Sequence, residues 1–146
     1  MNGRLVSIAR KARKRASMEE LAASRVSAAA GIEGDYRGRP GRRQITILFA
    51  EDWAKAVAGL DPAAPWTIRR ANLLVEGFAN RRQPGGILCV GSALFLVTGE
   101  TEPCVRMDQQ LPGLLDALKL DWRGGLTAQA MTDSEIAVGD AVRWEA

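Results

Sequence analysis

Ile87-Leu88-Cys89-Val90-Gly91-Ser92-Ala93-Leu94-Phe95-Leu96-Val97 consists of two apolar runs separated by Gly91-Ser92. A two-residue Gly-Ser break between such runs signals a tight hairpin, because glycine reaches the positive φ that such turns demand. The same residues also suit a bend or bulge in one strongly curved strand. Either geometry belongs to a small barrel. Cys89 lies within the first apolar run, where a core position is expected.

The second run leads directly into Thr98-Gly99-Glu100-Thr101-Glu102-Pro103-Cys104-Val105-Arg106. Pro103 fixes its own φ and biases Glu102 toward extended backbone, so the chain before Cys104 has little freedom. If the segment stays extended, Cys104 and Arg106 share one side, and a guanidinium beside a thiol favours its reactive thiolate. Glu100 and Glu102 act in the opposite sense. The competing reading of Cys104 is a small buried hydrophobe.

Further strands are expected where β-branched and apolar residues alternate. These are Leu5 to Ala9, Gln44 to Phe49, Leu126 to Met131, Glu135 to Val138 and Ala141 to Trp144, with Gly139-Asp140 as a turn between the last two. Ser17-Met18-Glu19-Glu20 has capping-box spacing and predicts a helix from Met18 to Ala29. Glu51 to Leu60 changes to helical period, with Trp53 on its core face. Leu111, Leu114, Leu115 and Leu118 predict another helix, with Pro112 near its first turn. Residues 67–77 are read as extended, which sets Arg70 and Asn72 on one face and Arg69 on the other. Arg70 and Asn72 then form a donor-rich surface suited to an oxyanion. Many short strands with two or three short helices give a mainly β class, a barrel or an α+β domain, rather than a βαβ repeat.

The 146 residues form a single domain, 1–146, large enough for its own core. No histidine is present, which removes His-based dyads and His-ligated metals from this chain, and the two cysteines form no C-x-x-C. The net charge of +3 is an excess of cations concentrated in residues 1–43 and permits an anionic ligand. Arg10, Lys11, Arg13, Lys14 and Arg15 have no aromatic residue among them for base stacking, so they read as a solvated basic loop and nucleic acid is not expected. The glycine-rich, arginine-rich loop Gly31 to Arg43 is neither a P-loop nor a dinucleotide fingerprint. Met1 to Arg10 lacks the apolar core of a secretory signal, and no run approaches the roughly 20 apolar residues of a membrane span. A cytoplasmic protein without membrane contact is expected.

Seven pieces in order resemble the MOSC domain, named for the C-terminal part of molybdenum-cofactor sulfurase. They are G-I-E-G-D from Gly31, R-Q-I-T from Arg43, R-R-A-N-L from Arg69, the glycine-flanked apolar run through Gly99, P-C-x-R-M from Pro103, R-G-G from Arg123 and I-A-V-G-D-A-V from Ile136. The resemblance implies a β-barrel similar to the small domain of pyruvate kinase, here a stand-alone domain. It implies that Cys104 matches the family cysteine, either carrying a persulfide sulfur or ligating molybdenum of a bound molybdopterin. Gly34, Asp35, Arg37, Arg69, Arg70, Asn72 and Arg106 are then the expected residues of an anionic cofactor pocket. Many relatives read Gly-Asp-x-His, and Arg37 stands where that histidine would be.

Implied activities are a molybdenum-cofactor-dependent reduction of N-hydroxylated compounds, with an electron-donor protein, or sulfur transfer supplied by a cysteine desulfurase. Pyridoxal phosphate binding is a further family-level association. The alternative, from a different class, is a barrel that binds a small ligand or a partner without chemistry.

Overall fold

The computed structural model describes residues 2–145 and is mainly β. Its strands are β1 (Gly3–Arg10), β2 (Glu19–Leu21), β3 (Ala23–Ser27), β4 (Gly31–Ile32), β5 (Ile45–Phe49), β6 (Leu73–Glu76), β7 (Ile87–Val90), β8 (Ala93–Glu100), β9 (Leu126–Ala130), β10 (Ser134–Ala137) and β11 (Ala141–Trp144). The helices are α1 (Ala50–Val57), α2 (Arg106–Gln110) and α3 (Leu114–Lys119).

Hydrogen bonding runs β11-β7-β8-β9-β5-β6-β1, and β1 returns to β11 through Gly3 opposite Val142. Seven strands therefore close into a mixed barrel, since β5 and β6 run parallel while the other ring pairs are antiparallel. Closure leaves the seven ring strands without an open edge. β2 extends the ring beside β1, and β10, β3 and β4 form a separate small sheet.

Alternation along β5 explains how one strand serves two layers. Ile45, Ile47 and Phe49 point into the barrel with Leu73, Val75, Leu88, Phe95, Val97 and Leu126. Leu48 points outward beneath Trp53, Val57, Leu114 and Leu118, so α1 and α3 cover the outer face of the ring. Thr46 shares that outer face and lies beyond the helical cover, at the candidate site.

The hairpin reading of Gly91-Ser92 holds, with Val90 opposite Ala93 across a two-residue turn. Gly91 sits at φ 56°, and a Cβ there would come 2.8 Å from the Asp140 carboxylate. Cys89 and Trp53 are buried as expected. Gly139 and Asp140 do form a turn, closed by Asp140 N–H donating to the Ala137 carbonyl, but it joins strands of different sheets.

The helix expected from Met18 to Ala29 is instead strands β2 and β3. Its acidic residues find long-range partners that outweigh local capping. Glu19 pairs with Arg10 at 2.9 Å, while Glu20 accepts from Ser7 Oγ at 2.9 Å and Trp66 Nε1 at 2.8 Å. The helix expected around Leu111 to Leu118 begins only at Leu114, as α3, because Leu111 is extended and Gly113 turns to φ 90°, and the separate helix α2 ends before it at Gln110. No helix among the described residues is long and apolar enough to cross a membrane.

Candidate functional site

Five segments converge outside the N-terminal half of β5. The first is the end of β1, where Lys11 N–H donates to Asp35 Oδ1 at 3.0 Å and ties the glycine loop to the barrel. Asp35 Oδ2 accepts from Arg37 N–H at 3.3 Å, and Tyr36 N–H donates to the Lys11 carbonyl at 2.7 Å. Both Asp35 oxygens are thus engaged in holding the loop, which presents Arg37 beside the cavity. Gly34 stands behind this wall rather than in it. At φ 85° it leaves room for the Arg10 guanidinium, which a Cβ would meet at 2.6 Å.

Residues 66–72 differ from the extended segment read from the sequence. Trp66–Arg69 is a 3-10 turn and Arg70 adopts a left-handed conformation at φ 65°, so strand geometry begins only at Leu73. The side chains therefore do not alternate between two faces. Arg69, Arg70 and Asn72 all border one cavity of about 130 Å³.

Each has a separate task. Arg70 Nη2 donates to the Ala16 carbonyl at 2.6 Å and anchors the basic loop. Asn72 frames the cavity by accepting from Thr46 N–H at 2.9 Å and donating through Nδ2 to the Ala9 carbonyl at 3.2 Å.

Arg69 is the inner wall. It is only 6 % exposed, and its Nε donates to the Gly124 carbonyl at 3.1 Å while Nη2 donates to the Thr101 carbonyl at 3.0 Å. A longer contact of 3.9 Å reaches Met107 Sδ. One guanidinium thereby joins the loop before Cys104, the helix after it and the Arg123-Gly124-Gly125 loop. Gly124 is required by this packing, since a Cβ there would come 2.6 Å from the Thr101 oxygen and 3.1 Å from Arg69 Nη2.

Cys104 lies at the exposed rim of the cavity, in a turn closed by Met107 N–H donating to the Cys104 carbonyl at 2.9 Å. The extended geometry expected for Cys104 and Arg106 is replaced by this turn because α2 begins at Arg106. Both residues nevertheless border the cavity. Glu100 and Glu102 border a neighbouring cleft with Arg42 and Arg43 instead. Burial there, followed by the nearby Glu102 charge, pushes the Glu100 carboxyl above the ordinary carboxylate range.

The cavity is electrostatically one-sided. Lys11, Arg37, Arg43, Arg69, Arg70 and Arg106 line it against a single carboxylate, Asp35. The ion pairs among the described residues involve Arg4, Arg10, Arg25, Arg82 and Lys119, and none of the cavity cations. Burial first, then the charges of Arg70 and Arg37, lowers the Lys11 ammonium below its ordinary value of 10.5. Burial pushes the Arg69 guanidinium down to about 10, opposed by the attraction of the Cys104 sulfur when it is a thiolate. Lys11 and Arg43 are site residues that sequence reasoning left outside the expected set. Lys11 looked like part of a solvated run, and its neighbours Arg13, Lys14 and Arg15 are indeed exposed.

A family model for the MOSC domain matches residues 15–143, nearly the whole chain and every segment that builds this cavity apart from Lys11. The chain belongs to the MOSC domain family. Solved structures agree on the barrel. The YuaD protein of Bacillus subtilis is 17 % identical, with 97 % of this chain and 94 % of that chain covered at a TM-score of 0.81. YiiM of Geobacillus stearothermophilus is also 17 % identical, with 99 % and 75 % covered at 0.78. YiiM of Escherichia coli is 13 % identical, with 98 % and 70 % covered at 0.71. No curated protein sequence matches the chain. At such identities the structural likeness speaks for the MOSC fold, and the chemistry of this MOSC domain rests on its own residues.

Proposed function

We propose that this MOSC domain binds an anionic ligand over Cys104 and uses the thiol as its reacting group, as a sulfur acceptor or as a molybdenum ligand. The observation that carries the reading is Arg69, a buried cation without a carboxylate partner, which lines the same cavity as the exposed Cys104. Burying an uncompensated charge is costly, and it is retained where a ligand or a reacting group completes the pair.

As a sulfur acceptor, the Cys104 thiolate attacks the outer sulfur of a donor persulfide. The donor S–S bond breaks, its thiolate leaves, and Cys104 holds the transferred sulfur as a persulfide, with no net oxidation required. The donor class is a cysteine desulfurase persulfide. Lys11, Arg37, Arg70 and Arg106 would draw an anionic sulfur donor to the rim.

The residues also fit molybdopterin, whose phosphate and dithiolene sulfurs need cations and a soft ligand. Arg37, Arg43, Arg70 and Lys11 would hold the phosphate, and Cys104 would ligate the metal. The described residues contain no group of three His, Cys, Asp or Glu able to hold a metal, so the metal would arrive with its own sulfur ligands. Once bound, such a group supplies two-electron oxygen-atom chemistry.

Protein purified from a host that makes molybdopterin tests the proposal through its molybdenum, phosphorus and sulfane sulfur, compared with Cys104→Ser. Molybdenum and phosphorus lost in the variant support the cofactor role. Sulfane sulfur that loads from a cysteine desulfurase only onto the wild type supports the sulfur role. Equal loading of both proteins overturns the assignment of Cys104.

A further inference from the structure

The cavity beside Cys104 is not closed on the side of the glycine loop. Arg37 and Arg43 each line it and also line an adjoining cleft of about 450 Å³, whose other walls include Tyr36, Arg39 and Gln44. Two guanidinium groups are therefore shared between the thiol compartment and a second compartment. Neither takes part in an ion pair, nor does Arg39.

The second compartment has a different character because it contains an aromatic ring. Tyr36 is the chain's only tyrosine and is 46 % exposed. Its backbone is nonetheless fixed. Tyr36 N–H donates to the Lys11 carbonyl at 2.7 Å, and Gly38 N–H donates to the Asp35 carbonyl at 3.1 Å. Beneath them Gln44 is buried and fully engaged, donating to the Ala28 and Gly38 carbonyls and accepting from Ala130 N–H. Gly38 packs so closely on the Ala30 carbonyl that a Cβ has no space. An exposed ring on a rigid loop between unpaired arginines is a preorganised platform for a planar group joined to an anion.

Resting on the anion-pocket reading above, we infer that the ligand of this cavity is nucleotide-bearing. Its base stacks on Tyr36, its phosphates lie between Arg37 and Arg43, and the remainder extends toward Cys104. Arginine suits phosphate through its paired donors, and a base supplies the flat face that Tyr36 can cover. A single orthophosphate would leave the Tyr36 cleft unused.

Calorimetric titration of the whole chain with pyrophosphate and with ADP separates the two compartments. ADP is expected to bind about tenfold tighter than pyrophosphate. Tyr36→Ala should bring ADP to the pyrophosphate level without weakening pyrophosphate, and Tyr36→Phe should keep the advantage. Equal affinity for ADP and pyrophosphate, or an ADP advantage that survives Tyr36→Ala, overturns the nucleotide assignment and leaves the anion pocket standing. Failure of both ligands to bind overturns the anion pocket as well. Tighter, steeply salt-dependent binding of a single-stranded oligonucleotide than of ADP overturns the small-ligand class in favour of nucleic acid.

Discussion

Two clefts flank β5, and each contains a buried charge of opposite sign. Beside Thr46 the charge is Arg69, and beside Phe49 it is Asp52, 6 % and 8 % exposed respectively. Asp52 Oδ2 and Asn80 Nδ2 are both buried without a well-formed hydrogen bond, and burial pushes the Asp52 carboxyl above the ordinary range despite the opposing pull of Arg82, Lys55 and the nearby Asn80 amide. A carboxylate in that position can relieve its burial by taking a proton. Arg69, at about 10, keeps its proton at neutral pH and is surrounded by five more cations. The Asp52 cleft can neutralise itself, whereas the Arg69 cleft stays positive and suits an anion or a thiolate. The proposed ligand site thus rests on the buried charge that cannot discharge and not on cleft size.

The contrast breaks if anions do not stabilise the fold. Pyrophosphate at a hundredfold excess over its Kd is expected to add about 2.7 kcal/mol to the unfolding free energy, read by urea denaturation. An unchanged midpoint would place the two clefts on equal terms. Arg69→Lys keeps the charge but cannot reach both the Gly124 and Thr101 carbonyls with a planar fork. A loss of about 2 kcal/mol is expected in the same assay, against no loss if charge alone matters.

Lys11 sharpens the contrast through pH. Its ammonium titrates below 10.5, so pyrophosphate affinity should begin to fall at a lower pH than an ordinary lysine would give. Lys11→Met should weaken binding about threefold at pH 7 and move the onset of the alkaline decline upward, toward the range of Arg69 at about 10.

The smallest effect belongs to Asp52→Asn. The folded-state pKa of Asp52 lies above its ordinary 3.8, so the ionised group costs stability at neutral pH and the protonated group does not. The variant should gain about 0.5 kcal/mol at pH 7, a figure kept small by screening and by the lost attraction to Arg82 and Lys55. That gain should vanish in denaturation curves below pH 3.8, and a gain that persists there would contradict its electrostatic origin.

Local patterns revealed barrel strands wherever a turn or an alternation was written in consecutive residues. The β7–β8 hairpin is written in Gly91-Ser92 and its flanking apolar runs, and β5 in the alternation from Ile45 to Phe49. Residues 18–29 misled because the partners of Glu19 and Glu20 are Arg10, Ser7 and Trp66, remote contacts that a capping pattern cannot contain. Cys104, Arg37, Arg69, Arg70, Asn72 and Arg106, singled out by the family motifs, line one cavity. The motifs did not reveal their division of labour. The 3-10 turn at Trp66–Arg69 buries Arg69 as a brace, and its bonds to the Gly124 and Thr101 carbonyls are remote contacts that no local pattern contains. Lys11 became a site residue only when the Gly31 to Arg43 loop folded across it.

The central claim is that the anion cavity and the Cys104 thiol are one site. It is tested most directly by alkylating the protein with anionic iodoacetate and with neutral iodoacetamide at low salt. Cys89 is buried, so the rate reports Cys104. The cation field should raise the iodoacetate-to-iodoacetamide rate ratio above that of free glutathione, and both salt and pyrophosphate should lower it again. A ratio equal to that of glutathione and indifferent to pyrophosphate would contradict the account.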